Sequence, residues 1–166
     1  EFITALVDDE NRNLKIISHA IKASKTMGTI ILCAQVRHCD LLESMCRDRD
    51  VSALVLHGQL PAKVRADRMA KAQDAQLIIG TLSLLSEGLD IPKLSALIFA
   101  APVSAVIDKD NPAATRLIQS IGRCRRPYPN KSKAYVLDII DECGFGVSAW
   151  NKRATIYQQQ GFKVMQ

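Results

Sequence analysis

The sequence predicts an α/β domain built on a mainly parallel sheet of five or six strands. Three observations carry that prediction. Five short runs rich in Ile, Leu and Val recur along the 166 residues, each apolar on both faces, as strands covered on both sides must be. Segments with helical spacing separate these runs, so strands and helices alternate. Polar residues and glycines cluster just after each run, where an open α/β sheet places its ligand-binding loops.

The elements follow in order. Residues 9–26 repeat apolar positions at Leu14, Ile17, Ala20 and Ile21, one face of a helix. The strand runs are TIILCA (29–34), VSALVLHG (51–58), AQLIIGT (75–81), LSALIFAAP (94–102) and KAYVLDIID (133–141). Between them, 38–49, 61–74 and 112–122 read as helices, with Pro61 and Pro112 where a first turn tolerates proline. Residues 145–160 form a last helix with Gly161 as its C-cap. Trp150, Lys152, Arg153 and Tyr157 in that helix suit either a basic-aromatic strand contact or, as we favour, a ring packed on the sheet with solvated charges. Lys63, Arg65, Arg68 and Lys71 spread around their helix and read as a solvated face. No repeat or linker divides the chain, so one domain spans 1–166.

Composition sets the class. Hydrophobic residues make up 48% and charged residues 23%, the balance of a globular domain rather than a disordered or membrane chain. No apolar run approaches the ~20 residues that span a bilayer, so an intracellular protein, cytoplasmic or nuclear, is expected. The net charge of +5 is compatible with a phosphate-rich partner. Cys33, Cys39, Cys46, Cys124 and Cys143 are odd in number and form no C-x-x-C pair, so reduced thiols are expected and no zinc site. Cys33, inside a strand run, reads as a small buried hydrophobe. The start at Glu1-Phe2, without Met, suggests a fragment of a longer protein.

The chemistry begins with what is missing. No G-x-x-x-x-G-K-S/T loop is present to cradle nucleotide phosphates. Asp8-Asp9-Glu10 opens a helix instead of following a strand, and His19, His38 and His57 are scattered. The isolated chain is expected to catalyse nothing. Two stretches remain. In IIGTLSLLSEGLDIPKL (78–94), Thr81 at a strand end suits a phosphate oxygen, Gly88 permits close approach, and Asp90 offers an acceptor. An ordinary β–α connection punctuated by Gly and Pro would read the same way. In LIQSIGRCRR (117–126), Leu117, Ile118 and Ile121 form a helix face, and Gly122 leaves room at the turn before Arg123, Arg125 and Arg126. Arginine forks suit phosphate, yet arginines also complement the negative end of a helix dipole.

Taken together, the chain resembles the second RecA-like domain of superfamily 2 helicases and translocases. TIILCAQ looks like motif IV, LHGQLPAKVR like the stretch after it, with His57-Gly58 and Arg65 in the usual offset. IIGTLSLLSEGLDIP resembles motif V, and Gln119 to Arg126 resembles motif VI, Q-x-x-G-R-x-x-R. The resemblance implies a three-layer RecA-like fold, ATP with Mg2+ held mainly by an N-terminal RecA-like domain of the same protein, and a nucleic-acid partner.

Roles follow by position. Arg123 and Arg126 match the motif VI arginines that reach ATP phosphates across an interdomain cleft, Arg126 being the finger. Gln119, Gly122, Gly88 and Asp90 match positions around the nucleotide, Asp90 also holding an arginine. Thr81, with Gly80, matches the motif V contact to a nucleic-acid phosphate, and Gln35, His57 and Gly58 would face the same strand. Arg125 receives only an auxiliary basic role. DEAD-box RNA helicases carry His where this chain has Gln119 and Arg-Gly where it has Glu87-Gly88, and their interval from Thr81 to Gly88 is one residue shorter. Gln119 with Glu87-Gly88 looks more like the DNA-directed branch of restriction motors, XPB-like and phage recombination helicases. An RNA remodeller and a non-catalytic interaction module are the alternatives.

Overall fold

The computed structural model describes residues 2–86, 89–102 and 112–165, with the backbone alone for 85–86 and 112–117. Glu87 and Gly88 lie outside the described residues. The chain runs α1 (Phe2–Asp8), α2 (Glu10–Ser24), β1 (Gly28–Cys33), α3 (Val36–Arg47), β2 (Leu54–Leu56) and α4 (Ala62–Lys71). It continues through β3 (Leu77–Thr81), α5 (Leu82–Ser86), β4 (Leu94–Phe99), α6 (Pro112–Cys124), β5 (Tyr135–Asp138) and α7 (Gly144–Gln159). Five strands lie in the order β2-β3-β1-β4-β5, every pairing parallel. This is the parallel α/β sheet the five apolar runs predict.

Alternation along each strand sends side chains to opposite faces, and both faces are covered. Ile30 and Leu32 of β1 join Leu56, Ile78, Leu97 and Phe99 in one core, closed by Leu84, Ile121, Trp150 and Tyr157. Ile31 and Cys33 join Leu77, Ile79 and Ile98 in the other, closed by Ile16, Ile17 and Ala20 of α2 and Cys39 and Leu42 of α3. Full burial of each large aliphatic chain contributes about 1.5–3 kcal/mol, so apolar residues are favoured at consecutive strand positions. Burial also pushes the Cys33 thiol well up, in keeping with a small hydrophobe.

Helix α2 matches the helix expected over 9–26, its N-cap Asp9 accepting from the Arg12 amide at 3.0 Å, and α1 precedes it as an additional element. The structure corrects two details. Leu14 is 36% exposed, and Ile16 replaces it on the buried face. On α6, Ile118 is exposed, so Ile121 and Cys124 anchor that helix.

The charges of α7 also differ from expectation. Trp150 and Tyr157 pack on the sheet as expected, but Arg153 is fully buried instead of solvated. It donates to the Asp138 carboxylate through Nε at 2.6 Å and Nη2 at 2.9 Å. Tyr157 Oη donates to the same carboxylate at 2.6 Å, and burial, then the Asp138 charge, pushes the phenol pKa up. The Lys63–Lys71 face is mostly solvated, though Arg68 donates to the Val55 carbonyl of edge strand β2 at 2.9 Å.

A second buried polar chain fastens α2 beneath the sheet ends. Arg12 donates through Nε to Asp141 at 2.7 Å and through Nη1 to the Ala100 carbonyl at 2.5 Å. Asn13 donates to the Val7 carbonyl at 2.8 Å and accepts from His38 Nε2 at 2.8 Å, which makes His38 the neutral Nε2–H tautomer. Burial, then the charges of Arg12 and Arg37, lowers the His38 pKa to about 4. Between that value and the unfolded value of 6.5 the unfolded chain binds a proton that the folded chain refuses. Stability is therefore lost as pH falls through this window. Urea unfolding should show about 2–3 kcal/mol less stability from this group at pH 4.5 than at pH 7. That increment should vanish in His38→Gln.

Candidate nucleotide and nucleic-acid sites

The polar residues predicted at the strand ends fall into two groups, joined by the segment that follows β3. The first surrounds an open cavity of about 550 Å3 at the carboxyl ends of β1, β2 and β3, lined by Gln35, Gly58, Gln59, Thr81 and Ser83 among others. Gln35 stands at the N-cap of α3 without spending its side chain on the cap. The Thr81 and Ser83 hydroxyls lie 3.0 Å apart, so the pair presents hydroxyl oxygens and rotatable protons to the cavity edge. Gln59 and Ser83 were missed by sequence reasoning, although each lies within two residues of an expected contact.

Two neighbours of that cavity also have structural roles. Gly80 is buried in β3; an added Cβ would lie 2.8 Å from Leu84 Cδ2 and 3.0 Å from the Leu56 carbonyl oxygen. Its lack of a side chain is a packing requirement between β2 and α5. His57 is 7% exposed and its buried Nδ1 has no hydrogen-bond partner among the described residues, while its carbonyl accepts from the Leu60 amide at 3.2 Å and shapes the turn after β2.

The second group lies where the end of α6 meets residues 89–94. Arg123 Nη1 donates to the Leu89 carbonyl at 2.5 Å. Arg126 Nη1 donates to the Asp90 carboxylate, with both side chains about half exposed. An exposed pair of this kind is worth little to stability; it orients the arginine. Three further hydrogen bonds brace the same segment. Gln73 Nε2 reaches the Asp90 carbonyl at 2.9 Å, and Lys131 Nζ reaches the carbonyls of Pro92 at 3.0 Å and Leu94 at 2.5 Å. Burial lowers the Lys131 pKa. No local pattern announces Gln73 or Lys131, because their partners are carbonyls that only the fold brings near.

The remaining motif VI residues separate. Gln119 is exposed on α6. Gly122 stands within the helix, not at a turn, exposed, and an added Cβ would meet nothing within 4 Å. A helical glycine costs roughly 0.5–1 kcal/mol relative to alanine, and no packing inside the described domain asks for it. Arg125 turns away from the other two arginines and donates to the Gln160 carbonyl beyond α7. Among the described residues no group of three or more His, Cys, Asp or Glu could hold a metal ion, and no helix is long and apolar enough to cross a membrane.

Known proteins resemble this chain in sequence and in fold. UvrABC system protein B of Rhodopirellula baltica is 25% identical over 149 residues, 86% of this chain and 20% of that protein. The chain spans about a fifth of the length of the curated relatives it matches. Among solved structures, T4 UvsW aligns with a TM-score of 0.69 at 21% identity, covering 98% of this chain and 35% of that one. S. cerevisiae Dbp5 bound to RNA and ADP BeF3 aligns with a TM-score of 0.68 at 18% identity, over 92% and 37%. The family model described as the helicase conserved C-terminal domain matches residues 12–127, from the buried Arg12 to the proline after Arg126. The chain therefore belongs to the helicase conserved C-terminal domain family, and its parallel sheet is the RecA-like fold of helicase C-terminal domains.

Proposed function

We propose that this chain is the C-terminal motor domain of an ATP-dependent superfamily 2 DNA helicase or translocase. Arg123 and Arg126 serve the ATP phosphates, and Thr81, Gln35, His57 and Gly58 serve the backbone of a nucleic-acid strand. One observation carries the reading. A single short segment begins with Thr81 at the strand-end cavity and ends with Leu89 and Asp90 bonded to both arginines. In this reading the segment couples cleft closure to grip on a strand.

The donor set fits one side of a nucleotide site. Each of two guanidiniums, planar forks suited to phosphate, is braced through one Nη by an oxygen of the β3–β4 segment. Asp90 adds an acceptor suited to a sugar hydroxyl. In this reading Mg2+ and the phosphate cradle belong to an N-terminal RecA-like domain, because no G-x-x-x-x-G-K-S/T loop occurs here. Magnesium ATP, when bound, supplies the phosphoryl group for transfer to water. The chain's own residues hold positive charge at the phosphate oxygens.

DNA is favoured by Gln119 and by Glu87-Gly88, where DEAD-box proteins carry His and Arg-Gly; the fold likeness to Dbp5 bound to RNA supports the RNA alternative. The test is ATP hydrolysis by the full-length protein with single-stranded DNA or RNA of equal length. DNA should stimulate more strongly, and the stimulation should fall steeply with salt, as backbone contacts require. Equal or greater stimulation by RNA overturns the DNA assignment. Hydrolysis with neither would leave a non-catalytic interaction module.

A further inference from the structure

Arg125 lies between the two arginines assigned to phosphate, yet its side chain goes elsewhere. It donates to the Gln160 carbonyl and its guanidinium carbon sits 5.7 Å from the centre of the Phe162 ring, within the range of a cation–π contact. Both targets belong to a rigid turn. Gly161, at φ +80°, ends α7 in the left-handed region. The Gly161 amide donates to the Gln158 carbonyl at 2.9 Å and the Phe162 amide to the Tyr157 carbonyl at 2.9 Å. These are the two bonds of a Schellman cap, which fixes where Phe162 stands and leaves the Gln160 carbonyl to Arg125. The helix beneath is itself immobilised by buried Trp150, Arg153 and Tyr157.

The end of α6 lacks comparable support from its own backbone. Past Cys124 it is closed, among the described residues, by the Arg125 amide to the Gly122 carbonyl at 3.2 Å and the Arg126 amide to the Arg123 carbonyl at 3.2 Å, short turns that fray readily. We propose that Arg125 is a positioning residue: it fastens the end of the motif VI helix to the capped end of α7 and so fixes where Arg123 and Arg126 point. The C-terminal turn then belongs to the machinery of hydrolysis without touching nucleotide. This rests on the phosphate role given above to Arg123 and Arg126.

The test measures ATP turnover per folded molecule in the full-length protein, with Arg126→Ala as the reference. Arg125→Ala should lower kcat roughly tenfold, since small misplacements of catalytic groups are costly, with KM for ATP and nucleic-acid affinity changed far less. Arg125→Lys, which keeps a cation over the ring and a donor for Gln160, should recover much of the rate. Phe162→Ala should lower kcat in part and add nothing on top of Arg125→Ala. Thermal unfolding of each variant separates lost turnover from lost folding. If Arg126→Ala abolishes turnover while Arg125→Ala, folded, keeps the wild-type kcat, the positioning role is overturned and the phosphate role stands. If Arg126→Ala is also silent, the functional reading itself fails. A rate loss in Arg125→Ala that tracks only a loss of folded protein equally overturns the positioning role.

Discussion

In the full-length protein, Arg126→Ala should lower ATP turnover by about a thousandfold or more, the effect of removing an arginine that stabilises charge in phosphoryl transfer. The expectation rests on the placement of Arg126: one Nη is held by Asp90 and the side chain is still 48% exposed, so donors remain for a second, anionic partner. Arg126→Lys should rescue little, because a point charge cannot keep one edge on Asp90 and offer a planar fork beyond it. Arg123→Ala should be costly too, but it also removes the bond to Leu89, so its loss mixes charge with the shape of the β3–β4 segment. Turnover by Arg126→Ala at the wild-type rate would take the finger role away from this residue.

The largest expected effect on folding lies at Arg153. Its guanidinium is fully buried and Asp138 is 4% exposed. Among the described residues, Arg153→Met leaves the buried carboxylate with the Tyr157 hydroxyl as its hydrogen-bond partner. Removing one partner of such a pair costs about 3–5 kcal/mol, a large share of the 5–15 kcal/mol that hold a typical domain together. Chemical denaturation of this chain should show the midpoint falling sharply. Asp138→Leu combined with Arg153→Met should lose less than Arg153→Met alone, because no uncompensated charge is then buried. Equal or greater loss in the double variant would show that the arginine matters through its shape and not through its charge.

How much of this was legible in the sequence depended on whether a feature is local. The five strands were, because a strand buried on both faces must be apolar at consecutive positions, as GTIILC and LSALIF are. Helices α1 and α5 were not: seven and five residues are too few turns to show a period. The spacing of motifs V and VI named Asp90, Arg123 and Arg126, and the fold brings them together. It gave no hint of the Arg12–Asp141 pair, whose partners are 129 residues apart and become neighbours only through the order of the strands. It also misjudged Arg153. A lone arginine on an amphipathic helix looks solvated unless the carboxylate at the end of β5 is known to lie beneath it.

The bare patch at Gly122 has a consequence for anyone who rebuilds this domain. A redesign that optimised the chain in isolation would fill that position with alanine at once, since the helix gains and no described neighbour objects. The improved molecule would carry a methyl group on the face of α6, one residue before Arg123. Under the proposed function, self-sufficiency and fitness to meet a second domain are opposed at that atom.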